Sequence, residues 1–599
     1  MKTLATLIAG TALVIGGVIA SAPARSQQRN SGTSFVVRNV RVFDGENTIA
    51  NTNVVVRDGK IEAMGGDVPS GLTVVDGTGR TLLPGLIDAH THVFGDALVR
   101  ALQFGVTTEL DMFTDHSLAK TMRAEQARPG GTAGRADMLS AGTLITAPGG
   151  HGTEYGMRIP TLESPKDAKS FVDARVAEGS DYIKIVYDNG GSYGLKIPTI
   201  DRATLEASVS AARRAGKLAV VHIGSHDAAN DAIAAGASGL IHLFADRAPE
   251  PDFAARVKAS GAFVTPTLSV IQSTTGQSPG APLVEDKVIQ PYLTPAERTG
   301  LGASFPTRPG ATRTTEHSVA AVKALLAAGV PLLAGTDAPN PGTAHGVSMH
   351  RELELLVAAG LTPEQALRAA SSTPAQIFAL EDRGRITPGL RADLLLVDGD
   401  PTSNITDTRR IAGIWKGGAR VERSTAAAGS TAEKAATGDG RVSGFDDGAV
   451  SAAFGAGWQI STDAMMGGKS KADMKVVSGG AAGTTHALEV SGEMAAGAPY
   501  PWAGAMFFPA STPMTPVDLS KFKEIVFWVR GDGGSLMVFA TTLGRVPAVH
   551  PFAASSEWRE VVVPLKSLGL DGSDLSGLLF SASDRPGPFR FAVDEVRFR

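Results

Sequence analysis

The segment LPGLIDAHTH, residues 83–92, decides the fold of this chain. It is a short apolar run that ends in two histidines, His90 and His92, with one residue between them. Residues two apart on an extended strand point to the same side, so both imidazoles can face one metal ion. Because two histidines can also simply flank the end of a strand, this pair alone is weak evidence for a metal site.

Four later segments repeat the arrangement, each with one polar residue at or near the C-terminal end of a short apolar run. They carry Lys184 in DYIKIVYD, His222 in LAVVHIG, His242 in GLIHLF and Asp337 in PLLAGTDA. Imidazole and carboxylate groups hold zinc and similar divalent ions. In an α/β barrel the C-terminal strand ends converge on one face, where active sites lie. The six residues together predict one metal site.

The centre of the chain, residues 83–384, alternates predicted strands with helical segments such as ATLEASVSAARRAGK. Ser164 and Thr362 each precede a proline and are typical of helix starts. Eight strands with intervening helices match a (β/α)8 TIM barrel in size and pattern. The predicted strands lie near residues 83–90, 106–112, 137–143, 181–187, 218–223, 239–244, 263–268 and 331–336.

Two β-rich segments bracket this barrel. Residues 34–82 carry short strands, with Asp58-Gly59 fitting a tight hairpin turn, and residues 385–421 resume the same style. Their position on both sides of the barrel predicts a small composite β-sandwich built from the two flanks.

A third unit follows a linker. Residues 422–441 are rich in Ala, Gly, Ser and Thr, which is a linker composition. Beyond it lie four of the five tryptophans but only two of the twelve histidines, and segments such as KEIVFWVRG indicate antiparallel strands. Residues 442–599 are therefore predicted to form a separate β-sandwich, a jelly roll.

Charge and composition exclude several classes of protein. The net charge is -4 and the isoelectric point is near 6.3, so there is no electrostatic basis for binding nucleic acid. The chain has no cysteine, which excludes disulfides, iron–sulfur clusters and thiol nucleophiles.

The first 24 residues, 1–24, are typical of a signal peptide. Lys2 precedes an apolar stretch, and small residues then offer cleavage sites around Ala22 and Ala24. The alternative is a membrane anchor, but the stretch is short and rich in Gly, Ala and Thr. We expect a periplasmic or secreted protein without a stable membrane anchor.

These motifs in combination resemble the amidohydrolase superfamily over about residues 34–421. The segment GTDAPNPGTAHGVSMHRELELLVAAGLTPEQALRAAS is similar to the branch with imidazolonepropionase-like proteins and exported Xaa-Pro dipeptidases. His90, His92 and Asp337 would bind a first ion, and His222 and His242 a second. The resemblance implies that Lys184 is carboxylated by carbon dioxide and that its carbamate bridges the two ions, for which zinc is the expected metal.

Charge then suggests a mechanism. Two divalent ions lower the pKa of a bridging water and so supply hydroxide near neutral pH, and one ion polarises the substrate carbonyl. Asp337 is placed to take the proton and pass it to the leaving amine. His151, in the glycine-rich APGGHGTEYG, is a candidate catalytic donor to the developing oxyanion and a candidate substrate contact.

Two further substrate contacts are predicted with open alternatives. Tyr187 lies three residues after Lys184 and would have to turn into the following loop, since a regular strand places it on the opposite face. His345 follows Asp337 closely and either binds substrate, packs in the interior or lies in solvent.

The C-terminal segments FDDG, residues 445–448, and WQISTDAMMGGKS, residues 458–470, resemble the complex I intermediate-associated protein family and its galactose-binding-like fold. Asp463 and the Met466-Gly467-Gly468 turn carry most of this similarity. Two interpretations stay open, a stabilising module without ligand and a module that binds a carbohydrate or a protein partner.

The sequence therefore predicts an exported, binuclear metal-dependent amidohydrolase that hydrolyses a small amide, either a dipeptide or an N-acyl amino acid. One alternative is a lactonase or organophosphate-type esterase on the same metal core. A second is a non-catalytic binding protein, against which all six ligand-type residues argue. Association into a homo-oligomer is left open.

Overall fold

The computed structural model describes residues 33–128, 130–153, 159–307, 311–425, 438–463, 469–496, 501–510, 516–540, 547–582 and 585–599. The predicted signal peptide, most of the linker at 422–441 and the Met466-Gly467-Gly468 turn lie outside these residues. Among the described residues, no helix combines the length and the apolar composition needed to cross a bilayer.

The N-terminal flank forms five strands. Its hairpin turn agrees with the prediction, because Asp58 and Gly59 have φ angles of 49° and 81°, and a type I′ turn needs positive φ at both positions. The strands are β1 (Phe35–Phe43), β2 (Thr48–Arg57), β3 (Lys60–Met64), β4 (Thr73–Asp76) and β5 (Arg80–Pro84).

Seven parallel strands follow, at seven of the eight positions expected from the apolar runs. β6 to β8 form one sheet and β9 to β12 form another, and each strand pairs in parallel with its sequence neighbour. These strands are β6 (Leu86–Thr91), β7 (Val106–Asp111), β8 (Asp137–Ser140), β9 (Ile183–Tyr187), β10 (Ala219–Ile223), β11 (Gly239–Ile241) and β12 (Phe263–Thr265).

The eighth expected strand, 331–336, is a bridging segment instead of a regular strand. Leu333 donates its backbone N–H to Val264 of β12, and Ala334 accepts from Ala89 of β6, each at 2.9 Å. The segment therefore divides its backbone hydrogen bonds between two neighbours, with an isolated bridge from Leu332 to Val264 of β12, and Ala338 just beyond it forms an isolated bridge to Thr91 of β6. On the other side, Ile145 pairs with Ile185 and links the end of the first sheet to β9.

Helices separate the strands and cover them. Thr362 caps its helix as expected, since its side chain accepts from Gln365 N. Ser164 makes no such bond, and a short 3-10 turn, Pro165–Asp167, precedes that helix. The helices are α1 (Ala97–Gln103), α2 (His116–Gln126), α3 (Ala168–Glu178), α4 (Arg202–Arg214), α5 (His226–Ala234), α6 (Phe253–Ser260), α7 (Leu268–Thr274), α8 (Ala281–Glu285), α9 (Pro295–Gly302), α10 (Thr315–Ala327), α11 (Val347–Ala358), α12 (Pro363–Ala369) and α13 (Ser372–Ile377).

The C-terminal flank completes the sheet begun by the N-terminal flank. β13 (Leu394–Asp398), β14 (Ile411–Lys416) and β15 (Ala419–Arg420) join β5 through antiparallel pairing with β13. The structure places all eight strands in one sheet where the sequence predicted a sandwich. The edge strand β3 curls back to the segment before β13, so one apolar core fills the concave face.

The C-terminal unit consists of two antiparallel sheets around a core of its own, to which both sheets contribute. Asp463 is buried and accepts from the backbone and the hydroxyl of Ser470 at 2.9 and 2.6 Å. The strands are β16 (Arg441–Ser443), β17 (Gly457–Thr462), β18 (Lys471–Ser478), β19 (His486–Met494), β20 (Ala503–Phe508), β21 (Glu524–Gly531), β22 (Gly534–Ala540), β23 (Ala548–Phe552), β24 (Ser555–Pro564), β25 (Leu575–Ala582) and β26 (Gly587–Phe598).

Candidate active site

The two histidines at the C-terminal end of β6 meet Asp337. Nε2 of His92 lies 3.0 Å and Nε2 of His90 lies 3.3 Å from Oδ1 of Asp337. Nε2 of His242 lies 3.9 Å from the other carboxylate oxygen. The ligand-type atoms of His90, His242 and Asp337 all lie within 4.8 Å of one another, which is close enough for one ion to contact all three.

His222 and Lys184 extend this cluster. The His222 ring centroid is 4.5 Å from that of His242, and the His242 ring is 4.7 Å from that of His90. Lys184 is only 2% exposed, and its charge interacts with Asp337. The structure thus brings together all six residues that the sequence predicted as ligands.

Several buried polar atoms here make no hydrogen bond to a described residue. They are both ring nitrogens of His90, Nδ1 of His92, Nζ of Lys184 and Oδ1 of Asp337. Buried polar atoms are almost always hydrogen-bonded in folded proteins. Imidazole nitrogens and a carboxylate oxygen that face one another without hydrogen bonds fit a site that binds divalent cations.

Burial keeps the imidazoles in the neutral protonation state that can bind a metal ion. Burial lowers the pKa of His90 to about 3 and that of His222 to about 4, so both are neutral at pH 7. Burial by itself raises the pKa of Asp337, but His90 and His92 outweigh it and hold that pKa well below the usual range. The site therefore presents neutral nitrogen donors and an ionised carboxylate.

A threonine fixes the tautomer of His242. Its Nδ1 lies 2.7 Å from Oγ1 of Thr267, and that hydroxyl donates its own proton to the carbonyl of Pro266 at 2.8 Å. The threonine oxygen can therefore only accept, so Nδ1 carries the imidazole proton. Nε2, the nitrogen that faces Asp337, is left with a free lone pair for a cation.

Asp88 connects the backbone of His90 to Thr336, the residue before Asp337, and the sequence analysis did not predict this role. Its buried carboxyl group accepts the backbone N–H groups of His90 and Thr336 at 3.1 and 3.0 Å. It also bonds the Thr336 hydroxyl at 2.7 Å. The available signal was an acidic residue inside an otherwise apolar strand, two positions before the first histidine.

Five of the six residues, His92, Lys184, His222, His242 and Asp337, line a cavity of about 370 Å³. His151 lines it as predicted, with its ring centroid 4.9 Å from that of His222. The volume falls within the range of small-molecule sites, roughly 300 to 1,000 Å³. Most of the remaining lining is apolar and includes Leu144, Val186, Leu195, Ile197, Val270 and Phe305.

Tyr187 does not line this cavity, contrary to the predicted substrate contact. β9 stays regular to its end, so Tyr187 points away from the face that carries Lys184 and Val186. Its hydroxyl donates to Asp231 at 3.0 Å. Tyr193, in the loop that follows, is the tyrosine that lines the cavity among the described residues.

His345 is not a cavity residue either, and the alternative of interior packing holds. It is 7% exposed, and its Nδ1 lies 2.9 Å from Oε1 of Glu109 on β7. Burial lowers the pKa of His345, but the Glu109 carboxylate outweighs this and leaves that pKa raised.

Two charged residues in the cavity were not expected from the sequence. Asp188 approaches Nε2 of His222 to 3.5 Å and accepts from Gly190 N at 2.9 Å. Arg313 reaches the cavity from the segment before α10. Asp188 directly follows β9 and could have been noticed as the polar residue that ends that run, whereas Arg313 lies in a loop where no local pattern singles it out.

Comparison with known proteins agrees with this site. Residues 81–421 match the model of the Amidohydrolase family, which is more than half of the chain, and the protein therefore belongs to this family. Residues 450–571 match the model of Complex I intermediate-associated protein 30. Both resemblances expected from the sequence are thereby confirmed.

Individual relatives match only parts of their own length. The imidazolonepropionase of Cereibacter sphaeroides is 40% identical over 89 residues, 14% of this chain and 22% of that protein. The D-hydantoinase of Rhizobium radiobacter is 26% identical over 263 residues, 41% of this chain and 53% of that protein. The chain thus spans about a fifth to a half of the length of these curated relatives.

Solved structures show the same fold. A Xaa-Pro dipeptidase with bound methionine superposes with a TM-score of 0.52 at 20% identity, covering 65% of this chain and all of that one. A prolidase complexed with N-methylphosphonate-L-proline gives a TM-score of 0.50 at 20% identity with the same coverage. At these identities the likeness concerns the fold alone.

Replacing Thr267 tests whether His242 is oriented for metal binding. Thr267→Val keeps a β-branched side chain but removes the acceptor for Nδ1. We expect a roughly 10- to 100-fold loss of zinc affinity, as for other supporting hydrogen bonds to metal-binding histidines. Zinc affinity is measured by competition with a chelator.

Thr265→Val is the matched control, because Oγ1 of Thr265 is buried and makes no hydrogen bond to a described residue. It should keep the affinity of the unmodified protein. Equal affinities in the two variants would contradict the orienting role of Thr267.

Proposed function

We propose that the protein is an exported, binuclear metal-dependent hydrolase that cleaves the C–N bond of a small amide, either a dipeptide or an N-acyl amino acid. The observation that carries this proposal is the meeting of His90, His92, His242 and Asp337 beside the cavity, where both ring nitrogens of His90, Nδ1 of His92 and Oδ1 of Asp337 are buried and make no hydrogen bond to a described residue. Export rests on the signal-like composition of residues 1–24.

The residues divide into two groups of ligands. His90, His92 and Asp337 would hold one ion, and His222 and His242 would hold a second, with zinc as the proposed metal. Bound divalent cations supply a nucleophile at neutral pH by lowering the pKa of water, and they polarise a substrate carbonyl.

Lys184 would join the two groups as a carbamate. An ammonium group buried without a partner is costly, and Nζ has no hydrogen-bond partner among the described residues. Burial lowers the pKa of Lys184 to about 7, so much of the side chain is the neutral amine that reacts with carbon dioxide. The reaction forms an N–C bond, releases one proton and leaves an anion with two oxygen donors.

Other residues would handle protons and charge on the substrate. Asp337 lines the cavity as an ionised carboxylate, so it can accept a proton and return it to the departing amine. His151 lines the same cavity and can donate a hydrogen bond to the carbonyl oxygen as charge develops on it.

We also propose that the two parallel sheets close into one (β/α)8 barrel. Support comes from the bridge between Ile145 and Ile185 at one junction, and from the segment 331–336 between β12 and β6 at the other. Closure brings both halves of the ligand set to one face.

A substrate panel tests the function. Zinc-loaded protein should hydrolyse some dipeptides or N-acyl amino acids with kcat/KM of roughly 10⁴ M⁻¹ s⁻¹ or more, and chelation should abolish this activity. Hydrolysis of lactones and esters alone would favour the esterase alternative. Amide hydrolysis that survives metal removal would refute the proposal.

The Lys184 bridge is tested by metal content and rescue. The unmodified protein should bind about two zinc ions per chain, and Lys184→Ala should lose metal and most activity. Acetate or propionate should partly restore both by supplying a carboxylate in the vacated space. Lys184→Arg should not respond, because guanidinium stays cationic and fills that space. Full metal content in the alanine variant would exclude the bridge.

Asp337→Asn separates proton transfer from metal binding. Asparagine is nearly isosteric but cannot shuttle a proton, so amide hydrolysis should fall roughly 10²- to 10⁴-fold. Activated esters should lose less, because their leaving groups need less protonation. The comparison uses preparations of equal zinc content, and equal losses on amide and ester would argue that Asp337 only holds the metal.

A further inference from the structure

An arginine projects into the mostly apolar cavity. Arg313 belongs to the segment before α10 and lines the cavity together with Lys184 and Asp337. A guanidinium group stays charged at any working pH and donates charge-assisted hydrogen bonds to carboxylates. A cation in the cavity that the ligand-type residues also line indicates which substrates the cavity accepts.

Neutral groups hold Arg313 in place. Nη1 donates to Oγ of Ser192 and to the carbonyl of Gly224, both at 3.1 Å, and Nε donates to Oγ1 of Thr274 at 3.2 Å. The guanidinium carbon lies 4.1 Å from the centroid of the Tyr193 ring. These contacts orient the group without neutralising its charge.

The charge of Arg313 has no partner among the described residues. No described carboxylate lies within 4.0 Å of it, and its Nη2 donates to no described residue. Other half-buried arginines of this fold do face carboxylates, such as Arg383 with Asp137 at 2.5 Å and Arg409 with Asp286 at 2.9 Å. Asp188, also in the cavity, is engaged by Gly190 N and His222 instead.

Gly224 connects this cation to the metal cluster. It follows His222 by two residues, and a Cβ atom built on it would lie 2.2 Å from Oδ2 of Asp188, so only glycine fits. Residues two apart lie at most about 7 Å from one another between Cα atoms. In a dipeptide the terminal carboxylate carbon lies within about 4 Å of the scissile carbonyl carbon. Arg313 is therefore held by the loop that follows His222, and it lines the same cavity as the ligand-type residues, so a carboxylate this close to the scissile bond would lie in the cavity that Arg313 lines.

We propose that Arg313 binds the carboxylate on the amine portion of the substrate, which makes the protein selective for amides of α-amino acids over neutral amides. The apolar lining then accepts apolar side chains or acyl groups. This inference rests on the proposed function, since it names the substrate class of the same cavity.

The experiment compares two ligands that differ only in the carboxylate. N-acetyl-L-leucine and N-(3-methylbutyl)acetamide share the scissile amide and the apolar chain. Calorimetric affinities and kcat/KM are measured with zinc-loaded protein, Arg313→Met, Arg313→Lys and the control Arg202→Met. Arg202 is 55% exposed and pairs with Glu206 outside the cavity.

The unmodified protein should prefer the carboxylate ligand, and Arg313→Met should reduce this preference by roughly 10- to 100-fold, the range for hydrogen bonds to charged groups. The change should appear in KM and affinity more than in kcat. Arg313→Lys should keep part of the preference, and Arg202→Met all of it. Thermal unfolding checks that each variant is folded.

The outcomes separate this inference from the proposed function. Three results would overturn the role of Arg313, whether or not amides are hydrolysed. They are equal affinity of the unmodified protein for the two ligands, no binding of either ligand, and an unchanged preference in Arg313→Met. Selective binding without hydrolysis of any amide in the panel would support Arg313 and contradict the proposed function.

Discussion

One buried carboxyl group sets the spacing of the cluster of ligand-type residues around Asp337. Asp88 bonds the backbone of His90 on one side, and both the backbone and the hydroxyl of Thr336 on the other. Asp337 is the next residue, and its N–H donates to the carbonyl of His90 at 2.8 Å. Because the segment 331–336 forms no regular ladder, these bonds fix the carboxylate of Asp337 against the histidines. The geometry of the site depends on this link.

Energetically unfavourable backbone conformations and unsatisfied polar atoms are concentrated at this site. His242, Thr267 and Asp337 have φ angles of 69°, 52° and 56°, a region that residues with a side chain rarely adopt. Near them lie the buried polar atoms that make no hydrogen bond to a described residue, among them Oδ1 of Asp337 and both ring nitrogens of His90. Such strain persists where the surroundings over-determine the backbone. A cation bound here would satisfy those atoms, and it would stabilise the folded state in proportion to its affinity and concentration.

The ligand set could be predicted because residue type and strand position are local properties. His90, His222 and His242 each end a short apolar run, and parallel strands carry such residues to one edge. The predicted eighth strand contacts both β12 and β6 but does so through isolated bridges, at Leu332 and Ala338, and not through a continuous ladder. The two flanks were predicted to form a sandwich, but the structure has one curled sheet, because β13 of the second flank pairs with β5 of the first. Neither pairing is encoded in the periodicity of the segments themselves.

The sequence alone was enough to predict which residues are of ligand type, their order along the chain, the two β-rich flanks and the separate C-terminal unit. Only the tertiary structure decided which loop residues reach the cavity. His345 turns to Glu109, 236 positions away, whereas Arg313 is held by Ser192, 121 positions away. Tyr187 points outward, and the next loop supplies Tyr193 in its place. The physical reason is that loop side chains take their direction from contacts with distant segments, which no local pattern of residues specifies.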